Sequence, residues 1–125
     1  MRLSEYIQTH TDKPFKWGTN DCITFSIGFL EIQTGRDYLT EHRPWRSARE
    51  ARKKLIALNG LFFLLQSNLT SINPNMAKDG DLTIYQDAAY LFSGRHIVSV
   101  GKTGLVFNPR SEAKEAWTYK CHQHS

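Results

Sequence analysis

The chain has 125 residues, of which 40% are hydrophobic and 12% are aromatic, and its formal net charge is +4. This length and composition match one globular domain with a core of its own. Because no window is apolar over the roughly 18 residues that a membrane span needs, and because the first residues lack the apolar region of a secretory signal, we expect neither a membrane span nor a signal peptide.

The apolar periodicity divides the chain into a helical part and a sheet. It predicts helices over 3–10, 22–33, 48–58 and 61–69. In the second of these, apolar residues occupy more than one side, so this helix should be largely buried. After Asn73-Pro74 the runs become short and β-rich, and they predict strands over 81–86, 88–92, 95–100, 104–108 and 117–119. We therefore expect a single α+β domain with a mainly helical half (1–73), an antiparallel sheet (74–120) and a tail (121–125).

Much of the positive charge falls in one segment. Basic residues recur at roughly helical spacing over positions 43–54, as Arg43, Arg46, Arg49, Arg52, Lys53 and Lys54. Such a run is typical of a solvated helix face. A nucleic-acid interface would need interleaved aromatic residues or a known binding module, and Trp45 is the aromatic residue nearby. We therefore do not expect nucleic acid as a partner.

The two cysteines, Cys22 and Cys121, are too few for a disulfide framework, and their surroundings differ. Cys121 opens the terminal segment Cys121-His122-Gln123-His124, which contains three potential ligands for a soft or borderline metal. So short a segment would need a fourth ligand from elsewhere, and chain ends are usually poorly ordered. We therefore expect no disulfide, no bound metal and no other cofactor.

Cys22 is the candidate chemical centre because it stands in the first turn of the second predicted helix. Unpaired N–H groups and the positive end of the helix dipole stabilise an anion at that place, which lowers the pKa of a thiol. Asn20 or Asp21 is placed to cap the helix, and the N–H of Cys22 could point at a developing oxyanion. The alternative is that Cys22 packs as a small hydrophobe, since free cysteine is among the most buried residue types.

The residues around Cys22 resemble a known nucleophile segment. The pattern Phe15-x-Trp17-Gly18-x-x-Asp21-Cys22-x-x-Phe25 is similar to that of the NlpC-type papain-like cysteine peptidases and amidases, in particular their short relatives encoded among bacteriophage tail genes. Further matches to these relatives follow in the same order, at Thr34-Gly35-Arg36-Asp37, Gly80-Asp81-Leu82, Gly104-Leu105-Val106-Phe107 and Ala116-Trp117. The resemblance covers nearly the whole chain.

The resemblance implies a papain-like fold, in which the helix that carries the cysteine packs on an antiparallel sheet. It implies a thiolate that hydrolyses peptide or amide bonds of bacterial peptidoglycan, with the stem peptide as substrate and other phage tail-tip proteins as partners. The location would then be the tail of the virion, or otherwise the host cytoplasm. The rival interpretation is a non-catalytic structural component of the tail tip that keeps the fold, because fold alone does not decide function.

A thiolate mechanism needs a histidine within hydrogen-bond reach of the sulfur. Of the five histidines, only His96 lies in the predicted sheet, and Asn108 follows twelve residues later, so that Cys22, His96 and Asn108 can be written as a Cys-His-Asn triad. A second register stays open, because the segment from Ala88 also resembles the family strand that normally begins with the histidine. In that register the histidine position falls near Asp87 or Ala88, and the site lacks its base.

Three further residues are candidates for the substrate groove or its support. Trp17 could wall a groove, although aromatic residues before a buried helix more often belong to the core. Asp21 could support the nucleophile loop as the helix cap. Asp81 could face the helix N-terminus, although a Gly-Asp pair that enters a strand is common turn chemistry.

Overall fold

The structure is a computed structural model that describes residues 1–39 and 42–119. Its helices are α1 (Leu3–His10), α2 (Cys22–Thr34), α3 (Ala48–Ala57) and α4 (Leu61–Asn68). Its strands are β1 (Thr70–Ile72), β2 (Leu82–Tyr85), β3 (Ala88–Ser93), β4 (His96–Gly101), β5 (Gly104–Pro109) and β6 (Ala116–Thr118). Every predicted element is present, with bounds that differ by one residue at most. The interpretation of Cys121-His122-Gln123-His124 lies outside the described residues.

The strands form one antiparallel sheet in the order β1-β6-β2-β3-β4-β5. The α+β arrangement is thus confirmed, with six strands where the sequence predicts five. The additional strand is β1, a three-residue edge strand that pairs with β6. The sequence does not mark β1 as a strand because it is short and largely exposed, and so has no alternation of buried and exposed residues.

Helix α2 is buried because its apolar residues point in nearly every direction, and Ile23, Phe25, Ile27, Phe29 and Leu30 are all buried. It ends at Gly35, whose left-handed backbone (φ 71°) closes the last turn. The helix packs on β3 and β4. The first residue of this central helix is Cys22, so the fold places the cysteine beside the middle of the sheet.

The two faces of the sheet belong to two apolar clusters. Ala89, Leu91 and Val98 pack with the helices in the main core. Tyr90 and Phe92 alternate with them along β3 and pack on the opposite face in a smaller cluster. The alternation therefore divides the side chains of β3 between the two clusters.

Within the described part of the chain, none of the helices combines the length and the apolar character that crossing a bilayer requires.

Candidate functional site

The loop before α2 is organised by Asp21, which is completely buried. Its carboxylate accepts hydrogen bonds from the N–H groups of Gly18 (2.8 Å) and Thr24 (2.8 Å) and from the indole N–H of Trp45 (2.7 Å). In return, the hydroxyl of Thr24 accepts from the N–H of Asp21 at 2.8 Å, which completes a capping box. Of the two cap candidates that the sequence offers, Asn20 and Asp21, Asp21 is therefore the helix cap, and its carboxylate also ties the distant Trp45 to the loop.

Gly18 shows why the loop needs a glycine. Its backbone lies in the left-handed region (φ 83°), and a Cβ at this position would collide with the carbonyl oxygen of Trp45. The close approach of these two backbones lets the Trp45 indole reach Asp21. The glycine and the aspartate of the Trp-Gly-x-x-Asp-Cys pattern thus have structural roles.

Cys22 is the first residue of α2 and is half-buried. Burial raises the pKa of the Cys22 thiol, and the charge of Asp21 raises it further, whereas backbone hydrogen bonds with Ala89, Cys22 and Ile23 lower it. The net direction is upward. The sequence predicts a lowered pKa from the helix N-terminus, and this prediction is wrong because the loss of solvation outweighs the backbone dipoles.

Cys22 and Ser26 lie one turn apart on α2, and both lie near the backbone of Ala89 in β3. The carbonyl of Ala89 accepts hydrogen bonds from the hydroxyls of Ser26 (2.8 Å) and Ser99 (2.7 Å). The backbone of Ala89 also lowers the pKa of the Cys22 thiol, although burial outweighs this effect. The register of β3 with β4 begins only at Leu91, opposite Val98, so Ala89 lies beyond the last paired residues. Helix α2 therefore places the side chains of Cys22 and Ser26 near the first residues of β3, which are not paired with β4.

His96 lies at the other end of the same hairpin. It is exposed, it pairs with Ser93, and its ring stands 6.2 Å from that of Phe107 between centroids. Ser93 is four residues along β3 from Ala89, a distance of about 13 Å at the usual rise of a strand. His96 is therefore too far from Cys22 for a direct hydrogen bond.

Asn108 does not lie beside His96 either. Directly opposed residues share a face of a sheet, and β5 places Asn108 opposite Ile97 and Pro109 opposite His96. His96 and Asn108 consequently point to opposite faces, and the triad Cys22-His96-Asn108 is not assembled in this structure. The amide of Asn108 instead donates to the hydroxyl of Tyr90, at 3.4 Å.

Tyr90 is the neighbour of Cys22 that the sequence does not single out. Burial raises the pKa of Tyr90, and the Cys22 thiol and Tyr85 raise it further, while the hydrogen bond from Asn108 lowers it. An electrostatic interaction of this kind requires the phenol and the thiol to be near each other. The strand end beside Cys22 thus carries Ala88, Ala89 and Tyr90, and none of these residues is a histidine.

The remaining support candidates have structural partners. The buried carboxylate of Asp81 accepts from the N–H of Lys78 (2.9 Å) and the hydroxyl of Thr118 (2.7 Å), and its oxygen lies 3.3 Å from the Lys78 ammonium. Asp81 therefore fixes the turn into β2 and its connection to β6. Trp17 is half-buried, packs against the main core and meets Phe15 edge to face at 4.9 Å.

Two further features bear on what the site can do. In the described residues, no three His, Cys, Asp or Glu side chains are grouped so that they could hold a metal ion. A cleft of about 690 Å³ lies between the loop at Tyr38 and His42, the end of α3, and α4, and Cys22 is not among its lining residues.

No curated protein and no solved structure matches the chain. A family does match, over residues 1–119, which include both helical and sheet parts and the whole environment of Cys22. The chain therefore belongs to the family described as a domain of unknown function, DUF6950.

Proposed function

We propose that the protein is a non-catalytic structural component of a phage tail tip, built on a papain-like arrangement in which Cys22 packs instead of reacting. The observation that carries the proposal is the environment of the thiol. Cys22 contacts the Ala89 backbone, burial raises its pKa, and no histidine of the described residues has a hydrogen bond or an electrostatic interaction with it. A thiol without a base, and with a raised pKa, is a poor nucleophile near neutral pH.

The central residues of the nucleophile-like pattern have structural roles. Asp21 satisfies three donors, Gly18 permits the approach of Trp45, and Cys22 meets the end of β3. The residue types at Gly18 and Asp21 are thus explained by structure without a catalytic role. The pattern is therefore compatible with a fold that keeps its helix N-terminus for packing alone.

The assignment to a tail tip depends on the ordered resemblance to the short phage relatives, with other tail-tip proteins as partners. Hydrolysis of peptidoglycan stem peptides is the rival function. It requires a base beside Cys22 that His96, at the far end of the hairpin and on the face opposite Asn108, does not supply.

The experiment that tests the proposal is the pH dependence of Cys22 alkylation by iodoacetamide, in a Cys121→Ser background. We expect the apparent pKa of Cys22 to be higher in the folded chain than in the same chain unfolded in urea, where a thiol titrates at about 8.5. We also expect that adding His96→Ala leaves the titration unchanged. Cys22→Ser in the same background is the control for labelling at other sites.

One outcome would support the hydrolase interpretation instead. If Cys22 reacts with an apparent pKa below that of the unfolded chain, and if the replacement of a histidine removes this reactivity, the thiol has a base and the proposal fails. Release of dye from labelled peptidoglycan sacculi gives a second measurement. The proposal expects no release above that of the Cys22→Ala variant.

A further inference from the structure

Helix α3 has two unlike faces. The inward face carries Ala51, which is buried, and Leu55, which packs against the main core. The outward face carries Arg49, Arg52 and Lys53, which follow helical spacing and are exposed. Within the described part of the chain, none of these three cations forms an ion pair. We call them the basic stripe.

The basic stripe leads into an apolar groove where α3 ends. The groove is a cleft of about 580 Å³ between α3, α4 and the turn from β2 to β3. Its apolar walls are Leu55, Ile56, Leu61, Phe62 and Ile84. Arg52 belongs to both the stripe and the rim of the groove, and Asp87 lies on the rim as well. The two features therefore form one continuous surface.

Two walls of this groove are unusually exposed for their size. Ile56 is 69% exposed and Phe62 is 51% exposed, although Phe62 also meets the buried Trp117 edge to face at 5.5 Å. Large apolar side chains that border a concave surface are typical of sites that receive an apolar anchor from a partner. The cations beside them add a requirement for negative charge.

The occupant that satisfies both requirements is a protein segment. Nucleic acid offers phosphates for the stripe but no aliphatic anchor for the groove. A lipid surface favours apolar residues that protrude, whereas these walls enclose a cleft. A second copy of the chain would bring its own net charge of +4 and its own stripe toward this one.

We infer that the basic stripe and the apolar groove bind an acidic amphipathic segment of a partner protein, whose apolar side chain enters the groove while its carboxylates meet Arg49, Arg52 and Lys53. The inference deepens the proposed structural function and rests on it, because an assembly component needs a surface for its neighbour. The two can fail separately, since the proposed function is tested on the thiol and this surface is tested by binding.

The test uses the full chain, labelled with ¹⁵N, and a helical peptide of about 14 residues that carries leucine and phenylalanine along one face and glutamate on both flanks. We expect saturable shifts of the amide signals of Ile56, Gly60, Phe62 and Ile84. A charge reversal at the exposed stripe, Arg52→Glu with Lys53→Glu, should weaken binding and raise the dissociation constant at least tenfold, to about the extent expected of lost charge pairs. It should also improve binding of a matched peptide with lysine in place of glutamate.

Two variants separate this surface from general effects. Lys102→Glu with Lys114→Glu changes the net charge by the same amount at exposed positions outside the surface, and it should leave binding nearly unchanged. Ile56→Asp, at the more exposed wall, should abolish the shifts without loss of the fold. The inference is overturned if the glutamate peptide does not bind, or if both charge reversals weaken it equally. It is also overturned if phosphatidylglycerol vesicles or a DNA duplex bind through the same residues while the peptide does not.

Discussion

The two ends of the β3–β4 hairpin differ in almost every physical respect. At the end that begins with Ala89, side chains from α2 and β4 converge on a buried backbone carbonyl, and Cys22 lies beside it. At the end that turns between Ser93 and His96, the histidine is exposed and its ring meets Phe107. The thiol and the imidazole that a cysteine hydrolase would join are thus separated by the length of a strand. The comparison teaches that the buried end is built for stability.

The largest effect that would test this comparison is expected at Asp21. Asp21→Ala leaves three donors without their acceptor, the N–H groups of Gly18 and Thr24 and the indole of Trp45. We expect a loss of about 4 kcal/mol in the free energy of unfolding, because each unsatisfied buried donor costs about 1–3 kcal/mol and some will find water. Urea denaturation measures it. Trp45→Phe removes one of these donors together with its bond, and should cost about 1–2 kcal/mol.

A loss below about 1 kcal/mol for Asp21→Ala would contradict the comparison, because the loop would then not depend on its cap.

The next effect is expected at the Ala89 carbonyl, which has two hydroxyl donors. Ser26→Ala or Ser99→Ala alone leaves one hydrogen bond in place and should cost about 1 kcal/mol. The double variant removes both, and we expect a loss of about 3 kcal/mol, which exceeds the sum of the single losses. A double-mutant cycle in urea measures the difference. Strict additivity would mean that another donor satisfies the carbonyl when the hydroxyls are absent.

Much of the fold could be predicted because it is encoded by local patterns. The helices follow apolar periodicity, the turns follow Gly, Asn and Asp, and the Asp21 cap stands directly before its helix. The strand β1 is the exception, since three largely exposed residues at a sheet edge carry no pattern. Its partner β6 is remote in sequence, so pairing creates β1 and local preference does not.

The site was harder to predict because it depends on register. The two-residue turn at Lys102 and Thr103 pairs Gly101 with Gly104, and counting back along both strands brings Pro109, not Asn108, opposite His96. A spacing of twelve residues therefore puts the histidine and the asparagine on opposite faces. A three-residue turn would have changed this outcome. The Asp21–Trp45 hydrogen bond, across 24 residues, has no signal in the sequence at all.

A smaller effect is expected in the alkaline dependence of stability. Because the pKa of Cys22 is raised in the folded chain, the unfolded chain loses its thiol proton first as the pH rises. The unfolded state then binds fewer protons than the native state, so stability falls above the ordinary thiol pKa of about 8.5. In a Cys121→Ser background, Cys22→Ala should flatten this decline above about pH 8.5.

The raised pKa values of Tyr6 and Tyr90 act in the same direction, but both variants keep these residues, so the difference between the two curves isolates Cys22. Urea denaturation at several pH values measures it. A steeper decline after the removal of Cys22 would mean that the folded chain stabilises the thiolate. It would contradict the conclusion that the buried end of the hairpin disfavours a reactive cysteine.

The smallest effect is expected at His96, at the end of the hairpin that turns between Ser93 and His96. The side chain is exposed, and among the described residues its one ring contact is with Phe107, itself 51% exposed. His96→Ala should therefore change the free energy of unfolding by no more than about 0.5 kcal/mol. Asn108→Ala is the matched variant on the opposite face, where the amide donates to Tyr90 at the long distance of 3.4 Å, and it too should cost little. If the two residues acted as a pair, the double variant would show a coupling energy, whereas side chains on opposite faces of a sheet should give additive losses. A coupling of 1 kcal/mol or more, on the order expected of residues in contact, would require a register of β4 and β5 in which His96 and Asn108 meet.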